Sequence, residues 1–231
     1  MALILALARP AAAGDGSAFE RDFALAWPHY RDAWVQSAET DAATTTAALN
    51  AFTAAWARVT GEAAGDLPPA FRGDPGASSD LDLIGAIADK AAEQARRGRL
   101  AQAHATLQQI RAILSELRRR NGVATYDDPI DEFEEKLAEA GDNDFDQAEI
   151  PPDQFIQLVE QLGVLAYLVE RLEKLVPPQW VGDPAFLESA EGLARQVATV
   201  KAALFTGQSL AVRAAFEDLR KHFNKFYLYY G

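Results

Sequence analysis

Displaced by 109 positions, the chain lies over itself. Leu67-Pro68-Pro69-Ala70-Phe71-Arg72-Gly73-Asp74-Pro75 falls on Val176-Pro177-Pro178-Gln179-Trp180-Val181-Gly182-Asp183-Pro184, with five of the nine columns identical. The same displacement sets Gly98 on Gly207, Arg111 on Arg220 and Gly122 on Gly231, and it sets Leu107, Ile110, Leu114 and Leu117 on Phe216, Leu219, Phe223 and Phe226. A Pro-Pro turn recurs easily by accident; a turn followed by a matching apolar helix does not. The chain is therefore a head-to-tail duplication, with units expected at 14–122 and 123–231.

Within each unit the apolar residues follow helical spacing. Phe155, Leu158, Leu162, Leu165, Val169, Leu172 and Val176 alternate steps of three and four, as do Val212, Phe216, Leu219, Phe223, Phe226 and Tyr230. No segment alternates with the period of two that a half-buried strand needs. Helices are predicted at 17–38, 42–64, 79–97, 99–120, 129–140, 152–175, 184–206 and 208–230. The fold class is all-α: a tandem duplication of a four-helix up-down bundle unit, eight helices in total.

Boundary chemistry agrees with this reading. Asp128-Pro129 and Asp183-Pro184 each place an acceptor at an N-cap and proline at the first helical position, and Ser79 is placed to cap the third helix. Gly98 and Gly207 stand between paired helices, where a left-handed residue permits a tight reversal. Arg118, Arg119 and Arg120 crowd the carbonyl end of the fourth helix.

Residues 1–13 carry the apolar run and the Ala11-Ala12-Ala13 ending of a secretory signal, without its basic start; the alternative is a short apolar first turn of the bundle. The expectation is a periplasmic or secreted protein with no membrane span. The chain has no cysteine, which removes disulfides, thiol nucleophiles and Cys-type metal sites.

The net charge is −12. Nearly all of it comes from one stretch: twelve acids between Asp127 and Asp153 stand against Lys136 alone. The rest of the chain is close to neutral, so no basic face exists for nucleic acid.

Ala103-His104, Leu107, Ile110-Arg111, then Leu117-Arg118, Arg120-Asn121-Gly122, resembles a stretch of uncharacterised bacterial periplasmic helical-bundle proteins. The resemblance covers about 35 residues and implies an exported helical protein. In that pattern the following acidic helix carries a histidine after a phenylalanine; this chain has Phe133-Glu134. If the resemblance extends to a metal site, its residues here are His104, Asp131 and Glu134.

The other histidines, His29 and His222, lie in no Glu-x-x-His pair, and no histidine recurs at equivalent positions of the two units. The single methionine, Met1, cannot serve a His/Met haem site in a bundle core. Asp142, Asp144 and Asp146 have the alternation of a calcium loop. Gln147 stands where such a loop needs glycine, so the choice is between a weak surface site and a solvated acidic loop. No serine has a Gly-x-Ser-x-Gly setting and no glycine-rich phosphate cradle occurs, so no enzyme is expected.

The aromatic residues of the first and last helices suit a core. Tyr227 and Tyr229 fall off the last helix's stripe and are candidates for a partner surface. The expected function is a non-enzymatic exported binding or accessory protein acting on a protein or a cation through its acidic connector and aromatic C-terminal helix, with no resident cofactor. Its rival is a periplasmic metal- or haem-handling protein using His104 and nearby carboxylates.

Overall fold

The computed structural model describes residues 17–38, 41–61 and 67–231; the signal-like segment 1–13 lies outside them. Eight α-helices follow in order: α1 (Ala18–Ala38), α2 (Ala42–Thr60), α3 (Ala77–Arg96), α4 (Leu100–Arg120), α5 (Asp127–Gly141), α6 (Pro152–Lys174), α7 (Pro184–Leu204) and α8 (Ser209–Tyr230). No strand forms among the described residues, and no described helix is long and apolar enough to cross a membrane.

The chain divides into two compact units, Met1–Thr125 and Tyr126–Gly231. In the first, α1, α2, α3 and α4 pack each on the next and α4 returns to α1; α5, α6, α7 and α8 repeat this in the second. The division falls after Thr125 rather than after Gly122 because the end of α4 folds back on itself. Gly122 is left-handed at φ 66°, and Val123, itself buried, donates its N–H to the Arg118 carbonyl at 3.0 Å.

The duplicated register holds in atomic detail from residue 67 onward. Phe71 N–H donates to the Pro68 carbonyl at 2.8 Å and Trp180 N–H to Pro177 at 2.9 Å; Asp74 N–H to Phe71 and Asp183 N–H to Trp180 are both 3.0 Å. In α3 the buried residues Ala77, Leu81, Ile84, Ala88, Ala91 and Ala95 lie 109 positions from Phe186, Ala190, Leu193, Val197, Val200 and Leu204. Gly98 (φ 69°) and Gly207 (φ 73°) make the same left-handed reversal.

Before residue 67 the register changes. The buried face of α2, made of Thr45, Leu49, Phe52, Ala55, Trp56 and Val59, matches Leu158, Leu162, Leu165, Leu168, Val169 and Leu172 of α6, a displacement of 113. Four more residues therefore separate α2 from Leu67 than separate α6 from Val176. The connector from α5 to α6 is longer than the link from α1 to α2, so the two units differ in their loops more than in their buried helix faces.

Two boundary expectations need correction. Helix α3 begins at Ala77, ahead of Ser79: Gly76 stands at its N-cap with no side-chain cap bond, and Asp74 Oδ1 accepts the Gly76 N–H at 2.9 Å in the turn leading into the helix. This repeats the bond from Ala185 N–H to Asp183 Oδ1, also 2.9 Å. Helix α5 begins at Asp127, so Asp128 and Pro129 sit inside its first turn, and no side chain caps it. Helix α1 gains a reciprocal cap at its start: Glu20 N–H donates to Ser17 Oγ, and Ser17 N–H to Glu20 Oε2.

The core of the first unit is aromatic, with Phe23, Trp27, Tyr30, Phe52 and Trp56 in successive ring contact. Two of the polar tips find helix carbonyls, Tyr30 Oη that of Leu107 at 3.0 Å and Trp56 Nε1 that of Leu81 at 2.9 Å, so α1 is tied to α4 and α2 to α3.

Candidate functional site

The acidic segment is an ordered part of the second unit. Phe145 inserts between acids and is buried against Phe216, with ring centroids 5.9 Å apart. Gln154 Nε2 donates to the Asp144 carbonyl at 2.7 Å. Further on, Glu149 and Gln208 form an antiparallel bridge: Ile150 N–H donates to the Gly207 carbonyl at 3.0 Å and Ser209 N–H to that of Ala148 at 3.2 Å. The connector is thus stitched to the α7–α8 turn, and its acids stand at fixed places.

Much of the acidic charge is balanced within the unit. Glu132 bonds Arg171, Lys136 serves Glu135 and Glu139, Arg213 reaches Asp146 at 2.7 Å, and Arg220 stands 3.9 Å from Glu134. The neighbouring arginines at the end of α4 are engaged in the first unit: Arg119 with Glu116, and Arg120 with both Asp74 and Asp80. Asp142, Asp144 and Glu149 are exposed and have no cationic partner among the described residues.

The candidate calcium loop holds its carboxylates apart for other tasks. Asp144 Oδ1 accepts the Asp146 N–H at 2.9 Å, and Asp146 itself pairs with Arg213. The candidate metal ligands are divided between the two units. His104 belongs to the first, where its ring packs on Trp34 (centroids 4.8 Å) and Nδ1 lies 2.9 Å from Ser37 Oγ; Asp131 and Glu134 belong to α5 of the second. Among the described residues no three histidine or acidic side chains gather where one ion could be held.

Ser37 beside His104 is a contact between α1 and α4 that the sequence did not reveal. Ser37 is buried, and its hydroxyl is 2.7 Å from the Trp34 carbonyl one turn back, an arrangement that ends α1 and positions the imidazole.

The two tyrosines of α8 part company. Tyr227 is buried, stacked on Phe223 at 6.1 Å, and the expectation that it forms a partner surface is overturned. Helix α8 packs against both α7 and α5, so its apolar face is wider than a single stripe. Tyr229 is exposed. At the same end of the unit Tyr126, Trp180, Phe186 and Tyr230 form an aromatic cluster; burial, with Glu173 next, pushes the Tyr126 phenol well above its ordinary range, and its hydroxyl lies 3.1 Å from the Leu172 carbonyl.

Exposed apolar residues that helical spacing alone does not single out stand at the other end of this unit. Phe205 is 64% and Leu210 73% exposed, on the turn to which the acidic connector is bonded, and Phe205 meets Phe155 edge to face at 5.5 Å. The equivalent turn of the first unit reads Arg96-Arg97-Gly98-Arg99. That contrast between duplicated turns was available from the sequence. No protein-family model, no curated protein and no solved structure matches the chain.

Proposed function

We propose that this is a non-enzymatic, exported binding or accessory protein whose second unit takes up a basic amphipathic segment of a partner protein. The observation that carries the reading is the α7–α8 turn: exposed Phe205 and Leu210 are bonded through Gly207 and Ser209 to a connector bearing Asp142, Asp144 and Glu149. A partner with lysines on one side and leucines on the other would bury apolar surface on the turn while its cations meet the unpaired carboxylates. Export rests on the apolar opening and its alanine ending, which lie outside the described residues.

The test is calorimetric titration of the full chain with a helical lysine–leucine peptide and with a lysine-only peptide of the same charge. The first should bind, and the second only weakly. Asp142→Asn/Asp144→Asn/Glu149→Gln should weaken binding roughly tenfold, since exposed charge pairs are worth up to about 1 kcal/mol each. Phe205→Ala/Leu210→Ala should weaken it independently. Binding unaltered by both sets, or none at all, would remove the proposal.

A further inference from the structure

Helix α6 presents two faces of different character. Its inner face matches α2 position for position, but its outer face does not. Where α2 exposes Ala43, and has Ala51 and Ala54 further along, α6 has Ile156 (61% exposed), Val164 (41%) and Tyr167 (57%) at the displacement that aligns the buried residues. A duplicated helix supplies its own control: the packing demand was kept in both copies, and large apolar side chains were placed outward in one only. Scattered surface apolar residues need no explanation, but three on one helical face beside an open glycine are a patch.

The charges along that face suit a second copy of the chain, although within one copy Arg171 also bonds Glu132 and Lys174 bonds Glu170 at 3.1 Å. Read from its N-terminus, the outward line of α6 carries Asp153, Ile156, Glu160, Gly163, Val164, Tyr167, Arg171 and Lys174. Laid antiparallel on itself about an axis between Gly163 and Val164, every position meets a suitable one. Asp153 meets Lys174; Ile156 meets the aliphatic stem of Arg171; Glu160 meets the Tyr167 hydroxyl; Gly163, with nothing within 4 Å of where a Cβ would stand, meets Val164. Parallel pairing would instead set acid on acid and base on base. The groove between α5 and α6, about 250 Å³ and lined by Lys136, Glu139, Gln157, Glu160, Gln161 and Val164, leaves room beside Glu160 for an incoming aromatic ring.

We propose that α6 is a homodimer interface, in which two copies of this chain pair their α6 helices antiparallel about a two-fold axis at Gly163/Val164. Such an interface is self-complementary and closes, so it yields a dimer and not a filament. Its axis at Gly163/Val164 lies along α6 away from Phe155, the α6 residue that meets Phe205 of the α7–α8 turn.

The chain has no cysteine, so single substitutions report cleanly. Sedimentation equilibrium of the full chain should show a concentration-dependent mass of two chains, abolished by Val164→Glu with helical circular dichroism unchanged. Asp153→Lys and Lys174→Asp should each weaken the dimer roughly fivefold, and the double exchange should restore it, because two such pairs form per dimer. Val164→Cys should cross-link to its own copy on mild oxidation, since disulfides require Cα atoms within about 7 Å; Ile156→Cys should not. A chain that stays monomeric at every concentration overturns the proposal, as does cross-linking through Ile156→Cys but not Val164→Cys. A monomer that loses capture of some other protein on Val164→Glu would assign the face to a different occupant and overturn it equally.

Discussion

Arg120 and Asp74 join the end of α4 to the start of α3: the guanidinium Nε donates to Asp74 Oδ2 at 2.5 Å. The same carboxylate accepts from Asn121 Nδ2 at 2.6 Å and, through its other oxygen, from the Gly76 N–H. Arg120, followed by Asn121, holds the Asp74 carboxyl at about 2, below the usual 3.8. A depressed carboxyl stabilises the fold fully above its unfolded value and loses that contribution as pH falls through the folded one. Urea midpoints measured from pH 5 to pH 2 should therefore drop for the native chain, and Asp74→Asn should start lower at pH 5 and fall less steeply over that window. Parallel slopes would refute the assignment.

Asp183 caps α7 with no arginine beside it. Asp183→Ala should cost about 1 kcal/mol, the usual worth of an N-cap. Chemical denaturation at pH 7 checks this, and Asp183→Asn should recover most of the loss.

Three glycine-to-alanine changes should separate backbone strain from propensity. Gly98 and Gly207 have positive φ and open space where a methyl group would stand, so alanine there should destabilise by about 1–2 kcal/mol through conformation alone. Gly163 sits mid-helix with ordinary φ and equal space, and alanine should stabilise by up to about 1 kcal/mol. Thermal unfolding of the three variants gives the signs directly.

The Tyr126 phenol is half-buried and near Glu173, both of which oppose ionisation. In an absorbance titration at alkaline pH, Tyr126→Phe should leave the step near pH 10 unchanged in size and remove amplitude only at higher pH. Loss of amplitude near pH 10 would count against the burial of that ring.

Removing Leu165 from the α6 core should be costly. It is fully buried, and Leu165→Ala should cost about 2–5 kcal/mol, whereas Leu187→Ala on the exposed side of α7 should stay within about 0.5 kcal/mol. Similar losses at both would mean that the inner and outer faces have been misassigned.

The eight helices are readable because steps of three and four in apolar residues carry their own phase, and starts such as Asp183-Pro184 carry their own chemistry. The start of α3 is not, because Ser79 has the usual composition of a cap, whereas the helix begins at Ala77 and Asp74 bonds the Gly76 N–H in the turn before it. Tyr227 misleads because a line of single residues underestimates the face of a helix with neighbours on two sides; its counterpart 109 positions earlier, Arg118, is buried as well. The change of register between α2 and α6 is hidden because the identical columns that fix the displacement of 109 begin only at the Pro-Pro turn. Candidate sites are less legible still. Which acid meets which base depends on distances across helices, and nothing in the order of residues tells that Asp146 reaches Arg213 while Asp142 reaches no cation among the described residues.

The hairpin from residue 67 to 122 and the hairpin from 176 to 231 share one inner spacing and one hinge shape, the left-handed Gly98 and Gly207. They are interchangeable parts. Grafting the later hairpin in place of the earlier one would ask only for compatible filling against α1 and α2, whereas exchanging α1–α2 with α5–α6 would bring connectors of the wrong length. A chain doubled in this way keeps one spacing of inward positions in both halves while the residues that fill them, and those that face outward, diverge.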